Sequence, residues 1–186
     1  MNKQNRTRDI AFTGIYIALI MGVGYALFLV PLELVTAMVF MAGVLMGRKR
    51  GLLIGLLGEF LYSALNPLGS GLLYPTGLAM QVLAMGLIGL CGAFLRSTVL
   101  RPHYRILDFI LLGLSGFGLT LIFDVLVSIG FSIAAGFNWR AIVSVFTLGT
   151  IFHGTRLLTN TVIFMAFVPV TSKRVRAAIP YFRDRK

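Results

Sequence analysis

The sequence predicts an all-α integral membrane protein: a bundle of six transmembrane helices, one domain over residues 1–186, both termini in the cytoplasm. Three observations carry this. Of 186 residues, 58% are apolar and only 12% charged, with a mean hydropathy of +0.90; soluble domains are about 45–50% apolar and about 25% charged. The apolar residues fall into long runs parted by turn residues or basic clusters. Lys and Arg gather at alternate ends of those runs. A net charge of +11 in a soluble chain would suggest nucleic acid. Here the basic residues flank apolar runs, so orientation in a lipid bilayer accounts for them and no nucleic-acid partner is expected.

Taken in order, residues 1–9 (MNKQNRTRD) form a basic cap. The first span runs from Ile10 to Val30, and Pro31 marks its end. It is long enough to cross and lacks the Ala-rich cleavage pattern of a signal peptide. The second runs from Leu32 to Met46 and stops at Arg48-Lys49-Arg50. The third is Gly51 to Leu65. Asn66-Pro67-Leu68-Gly69-Ser70-Gly71 is turn chemistry, so the chain reverses there. The fourth span is Leu73 to Leu95, followed by a basic connector, Arg96 to Arg105. The fifth is Ile106 to Ala135, turned by Gly136-Phe137-Asn138-Trp139-Arg140. The sixth is Ala141 to Val170, and a basic tail follows. A span needs about 20 residues, or about 17 at the short end. The second and third runs are short and are expected to be tilted or broken. Cys91, the one cysteine, excludes an internal disulfide and reads as a small buried apolar side chain.

Six spans place both termini on one side. The N-terminus, the 48–50 connector and the 96–105 connector hold three Lys or Arg each, and the tail holds six; fifteen of the seventeen therefore share a side. Only Arg140 lies in an opposite connector, and Arg156 lies inside a span. The excess marks the cytoplasm, so the Asn66-Pro67 loop faces out. Trp139 then sits at the outer interface, where an aromatic belt residue belongs.

Ionisable residues inside a membrane are costly and are functional candidates by default. Glu59 is the one charge between Gly51 and Gly92. It lies seven residues before Asn66, or about 10 Å below the outer loop at about 1.5 Å per residue. Gln81 lies seven residues after Tyr74, at about the same depth. With Glu33 at the outer start of the second span, and Asn66 and Tyr74 near the mouth, these residues outline an outward-facing pocket. Asp124 is about 16 Å deep, and His153 and Arg156 about 18–22 Å. Asp124 and Arg156 can pair at the pocket floor, with Asn160 one turn below. Blander readings stand beside these: Asp124 and Arg156 as a structural lock, Glu59 as a buried neutral acid, His153 as a packing residue. No spacing reads as a metal site, and no cofactor is implied.

The first span carries Gly14, Ala18, Gly22 and Ala26 at four-residue intervals. Such small-residue stripes let another helix approach closely in a membrane. The pattern alone leaves open whether that helix is internal or a partner's.

A small six-span chain with these features resembles the substrate-binding S component of energy-coupling factor transporters, which import vitamins into prokaryotes across the cell membrane. The family's first-span signature is Ala-xxx-Ala. Gly14, Ala18, Gly22 and Ala26 keep its close approach, with Gly at two positions. Glu33-Leu34-Val35-Thr36, the repeated Gly from Gly43 to Gly58, then Glu59 and Asn66-Pro67 look like members assigned to vitamin uptake. The resemblance implies a vitamin-like substrate bound by Glu33, Glu59, Asn66, Tyr74, Gln81, Asp124, His153, Arg156 and Asn160. Cobalamin or a cobalamin precursor is favoured, with riboflavin, pantothenate and biotin open. It also implies docking through the stripe on a transmembrane coupling subunit driven by two ATPase subunits. The chain carries no G-x-x-x-x-G-K-[ST] loop of its own.

Three rivals stand beside this reading, the plainest a membrane assembly factor with no ligand. An ion-coupled secondary transporter would use Asp124, His153 and Arg156 as a proton relay, though no two-fold repeat is evident. An intramembrane hydrolase would pair Ser70 with His153, but the loop position of Ser70 and the depth of His153 separate them.

Overall fold

Helix α2 (Val35–Met46) is the hub of the bundle: each of its twelve residues is buried. The computed structural model describes residues 3–27 and 33–183, except the side chains of 3–5, 145, 146, 148 and 150–152. The other helices are α1 (Lys3–Ala26), α3 (Arg48–Ala64), α4 (Pro75–Phe94), the short α5 (Arg96–Val99), α6 (Ile106–Ala134) and α7 (Trp139–Val162), and α2 packs on α1, α3, α4 and α5 among them. A π-helical segment, Ile163–Phe167, leads straight from α7 into α8 (Val168–Ala178), and α9 (Pro180–Arg183) ends the described chain. A single 3₁₀ turn, Gly71–Leu73, precedes α4, and no strand occurs among the described residues.

Three helical stretches are long and apolar enough to cross a membrane: Arg6–Ala26, Pro75–Phe94 and Ile106–Ala134. Helix α2 is shorter for a physical reason. At about 1.5 Å per residue it spans about 18 Å, less than a bilayer core of about 30 Å, and it is wrapped by protein rather than lipid. The expected end at Pro31 and start at Leu32 lie outside the described residues. The basic cap, expected before the first span, is part of α1 from Lys3 onward. Its Lys, Gln and Arg are good helix formers.

Likewise the Arg48-Lys49-Arg50 cluster is the first turn of α3, not a connector. Gly47, at φ 85°, makes the whole reversal between α2 and α3, a backbone state that a side chain would strain. Three cations at a helix N-terminus oppose the helix dipole. Arg50 is compensated by an ion pair with Asp9 of α1, and Arg48 lies over the Phe94 ring, 4.6 Å from its centroid. Asp9 also accepts from the Tyr181 hydroxyl at 2.8 Å. The Tyr181 ring stacks on Phe12 at 3.9 Å, so α9 is fastened to α1.

Helix α4 packs on α2, α3 and α6, and α6 packs on α7 and the π segment. The α2–α3–α4 seam is made by glycine. A Cβ on Gly43 would overlap the carbonyl oxygen of Gly89, one on Gly89 that of Gly51, and one on Gly92 that of Phe40. Lipid offers no hydrophobic drive between helices, so such backbone contact, with its dispersion energy, does the joining.

The sixth span was expected to end at Val170. Helix runs on to Ala178, with its widened turn just before Pro169. Pro169 cannot donate to Met165, and the π turn absorbs the missing bond and the ring's bulk.

Candidate functional site

Glu33 stands just ahead of α2. Its Oε1 accepts from the Thr36 backbone N–H at 2.7 Å, where a carboxylate also complements the helix dipole. Its Oε2 accepts from Asn160 Nδ2 at 2.8 Å and lies 3.5 Å from Arg156 Nη2. Glu33 therefore stands beside Asn160 and Arg156 of α7. It sits fourteen positions from the Gly47 turn, about 20 Å up a short internal helix, level with residues deep in α7.

His153, Arg156 and Asn160 recur at intervals of three and four, which puts them on one face of α7. Arg156 Nη1 donates to Asp124 Oδ1 at 2.5 Å, and His153 Nδ1 lies 3.1 Å from Asp124 Oδ2. Asn160 Nδ2 donates also to Thr120 Oγ1 at 3.0 Å, one turn before Asp124 on α6. The guanidinium lies over the Phe123 ring, 4.6 Å from its centroid. Asp124 is 4% exposed and Asn160 is fully buried. Buried charges are tolerable only when paired, and here two carboxylates share one arginine. Arg156 Nε and Asn160 Oδ1 have no hydrogen-bond partner among the described residues. A donor and an acceptor are thus unspent at the centre of the network.

A second cluster forms on α3 and α4. Ser63 Oγ lies 2.8 Å from Glu59 Oε1 and 3.1 Å from Gln81 Oε1. One hydroxyl proton serves one acceptor at a time. With its amide turned over, Gln81 donates to Ser63 while Ser63 donates to Glu59. The two clusters face each other, for Glu59 lies within electrostatic reach of Glu33 and Arg156. Tyr62 is in reach of all three charges. Its ring stacks with Tyr25 at 4.9 Å, and the Tyr25 hydroxyl donates to the Tyr62 carbonyl at 2.7 Å.

The remaining sequence candidates make contacts outside these two clusters. Asn66 is a turn former: its Oδ1 accepts from the Leu68 N–H at 2.9 Å. Tyr74 is half-exposed above α4 and meets the edge of Phe131 at 5.5 Å. Ser70 caps the 3₁₀ turn and donates to the Ala64 carbonyl at 2.8 Å. Gly14, Ala18, Gly22 and Ala26 are all exposed on α1. A Cβ on Gly14 or Gly22 would meet nothing within 4 Å.

Sequence reading missed Ser63, Thr120, Tyr25 and Tyr62. The first two were findable, since Ser63 is one helical turn beyond Glu59 and Thr120 one turn before Asp124. The tyrosines carried no signal, aromatic residues being ordinary in apolar helices.

A multi-pass helical membrane protein closed over a charged, hydrogen-bonding centre has the form of a small-molecule transport component. Residues 4–173 match the family described as ECF-type riboflavin transporter, S component, and the chain belongs to that family. It is a family of vitamin-transport components, not of enzymes. No curated protein and no solved structure matches the chain. The match lends nothing to the expectation of a cobalamin-type substrate.

Proposed function

We propose that this chain binds riboflavin from outside the cell and hands it to an ATP-driven coupling complex. The observation behind this is a pair of polar clusters within electrostatic reach of each other, one of them centred on Arg156, in a chain of the riboflavin S-component family. Riboflavin pairs a flat ring system, bearing imide donors and acceptors, with a chain of hydroxyls. Glu59, Gln81, Glu33, Asp124, His153, Arg156 and Asn160 offer the matching polar atoms. Tyr62 and Tyr25 offer a face on which a flat ring stacks. Asn66 and Tyr74 stand at the mouth.

In this reading α1, α2, α3, α4, α6 and the α7–α8 rod are the six spans of one domain over residues 1–186. Both termini are cytoplasmic, on the side that holds fifteen of seventeen basic residues. The outward stripe of Gly14, Ala18, Gly22 and Ala26 docks on a transmembrane coupling subunit, and two ATPase subunits drive the cycle. The membrane is the cell membrane of a prokaryote.

Quenching of flavin fluorescence by the purified chain tests the site. Wild type is expected to quench riboflavin stoichiometrically. Glu59→Gln, which keeps shape and removes a charge, is expected to weaken binding by about tenfold, the worth of one hydrogen bond to a charged group. Unchanged affinity makes Glu59 structural, and no quenching by wild type removes the riboflavin assignment. Uptake into vesicles driven by an ion gradient alone would replace the ATP-driven scheme with a secondary transporter.

A further inference from the structure

At the end opposite the 66–70 turn, the last turn of α4, helix α5 and helix α8 enclose an open cleft of about 600 Å³. Three of its lining side chains are arginines: Arg96, Arg101 and Arg176. None is acidic. Arg101 pairs with Asp108 at 2.6 Å yet keeps 41% of its side chain exposed. Asp108 is already engaged by the Arg105 N–H at 2.8 Å, so the cleft stays cationic. Arg48, over the Phe94 ring, adds a fourth cation at the rim.

The other lining is apolar. Phe94 is 56% exposed, and Ala93, Leu100 and Pro102 join it. These apolar residues lie at the end of α4, one of the helices long and apolar enough to cross a membrane. The cleft is also pinned open. Lys173 of α8 donates to the Pro102 carbonyl at 3.2 Å and caps the Tyr104 ring at 3.6 Å. The Tyr104 hydroxyl donates to the Val99 carbonyl at 2.5 Å.

We propose that this cleft binds the phosphate headgroup of an anionic phospholipid, with Arg96, Arg101 and Arg176 around the phosphate and Phe94 against the acyl chain. Basic pockets between helices at the cytoplasmic face suit such headgroups. Guanidinium forks match phosphate oxygens in pairs. A free phosphate would use the arginines alone and leave the apolar wall without purpose.

Native mass spectrometry of the purified full chain decides it. In mixed micelles phosphatidylglycerol is expected to be retained in preference to phosphatidylcholine, and millimolar inorganic phosphate is expected not to displace it. The pair Arg96→Gln with Arg176→Gln is expected to lower that retention by about tenfold. The charge-matched pair Arg6→Gln with Arg174→Gln, on exposed positions outside the cleft, is expected to leave it unchanged. Equal retention of both lipids overturns the proposal, as does equal loss in the control pair. Displacement by phosphate overturns the lipid assignment in favour of a soluble anion. The first and third measurements use wild type, so misfolding of a variant leaves the proposal testable. Riboflavin quenching on the same samples reports the vitamin site separately.

Discussion

The bundle uses small residues in two places with opposite results. On α1 the stripe of Gly14, Ala18, Gly22 and Ala26 is exposed, and a methyl group added at Gly14 or Gly22 meets open space. On the α2–α3–α4 seam, a methyl group added at Gly43, Gly89 or Gly92 lands on a backbone carbonyl. Both sets allow close approach of helices. In the seam that capacity is consumed inside the chain. On α1 it remains for something else. Small-residue spacing in a membrane helix therefore announces a contact without saying whose.

The seam should be the less forgiving of the two. Gly89→Ala adds a single methyl group, but the atom it meets is the Gly51 carbonyl oxygen, which cannot rotate away as a side chain would. Helices α3 and α4 must separate, opening the contact on which α2 also rests. The expected cost is about 3 kcal/mol, the upper end of overpacking penalties. It should appear as a large fall in melting temperature or in recovery of monodisperse protein. A variant that melts with wild type would show that the seam has slack, and the contrast with α1 would fail.

Helix α1 supplies an internal control. Gly24 lies two residues from Gly22 but faces inward, where an added Cβ would lie 2.6 Å from Tyr62 Cε2 and 3.0 Å from Val35 Cγ2. These are side-chain atoms and can yield. Gly24→Leu is therefore expected to cost about 1–2 kcal/mol, less than Gly89→Ala. Because the Tyr62 ring must leave its stack on Tyr25, riboflavin quenching should weaken along with stability. A stable variant with intact quenching would remove Tyr62 from the site.

How much of this could be read beforehand differs by residue. The pairing of Asp124 with Arg156 followed from depth along two long helices, where rise per residue is reliable. Glu59 and Gln81 were matched in the same way, and Ser63 joins them. The contact of Glu33 with Asn160 and Arg156 was not given by depth counting, which started the second run at its first apolar residue. An internal helix need not be as long as the membrane is thick, and hydropathy does not distinguish protein-covered from lipid-covered surface. The same blindness left the two glycine sets alike in sequence. The Arg48-Lys49-Arg50 cluster looked like a connector because like charges usually lie in loops. It is helical because one glycine turns the chain, and because Asp9 and Phe94 receive two of the cations.

Gly22→Leu should have the smallest effect on the fold. The position is exposed, and nothing within 4 Å opposes a side chain there. Leu is a better helix former than Gly by about 0.5–1 kcal/mol, so the melting temperature should hold or rise slightly. Riboflavin quenching should also be unchanged, since Tyr16, Ile17 and Ile20 of α1, not its stripe, face the core. The variant should nonetheless lose uptake in cells that supply the coupling partner, because an isobutyl group holds two helix backbones apart. Measuring melting, quenching and uptake on one preparation separates the cases. Lost stability together with lost quenching would place the stripe inside the protein's own packing. Full uptake with an unchanged fold would mean that the exposed stripe carries no docking, and that the partner meets another face.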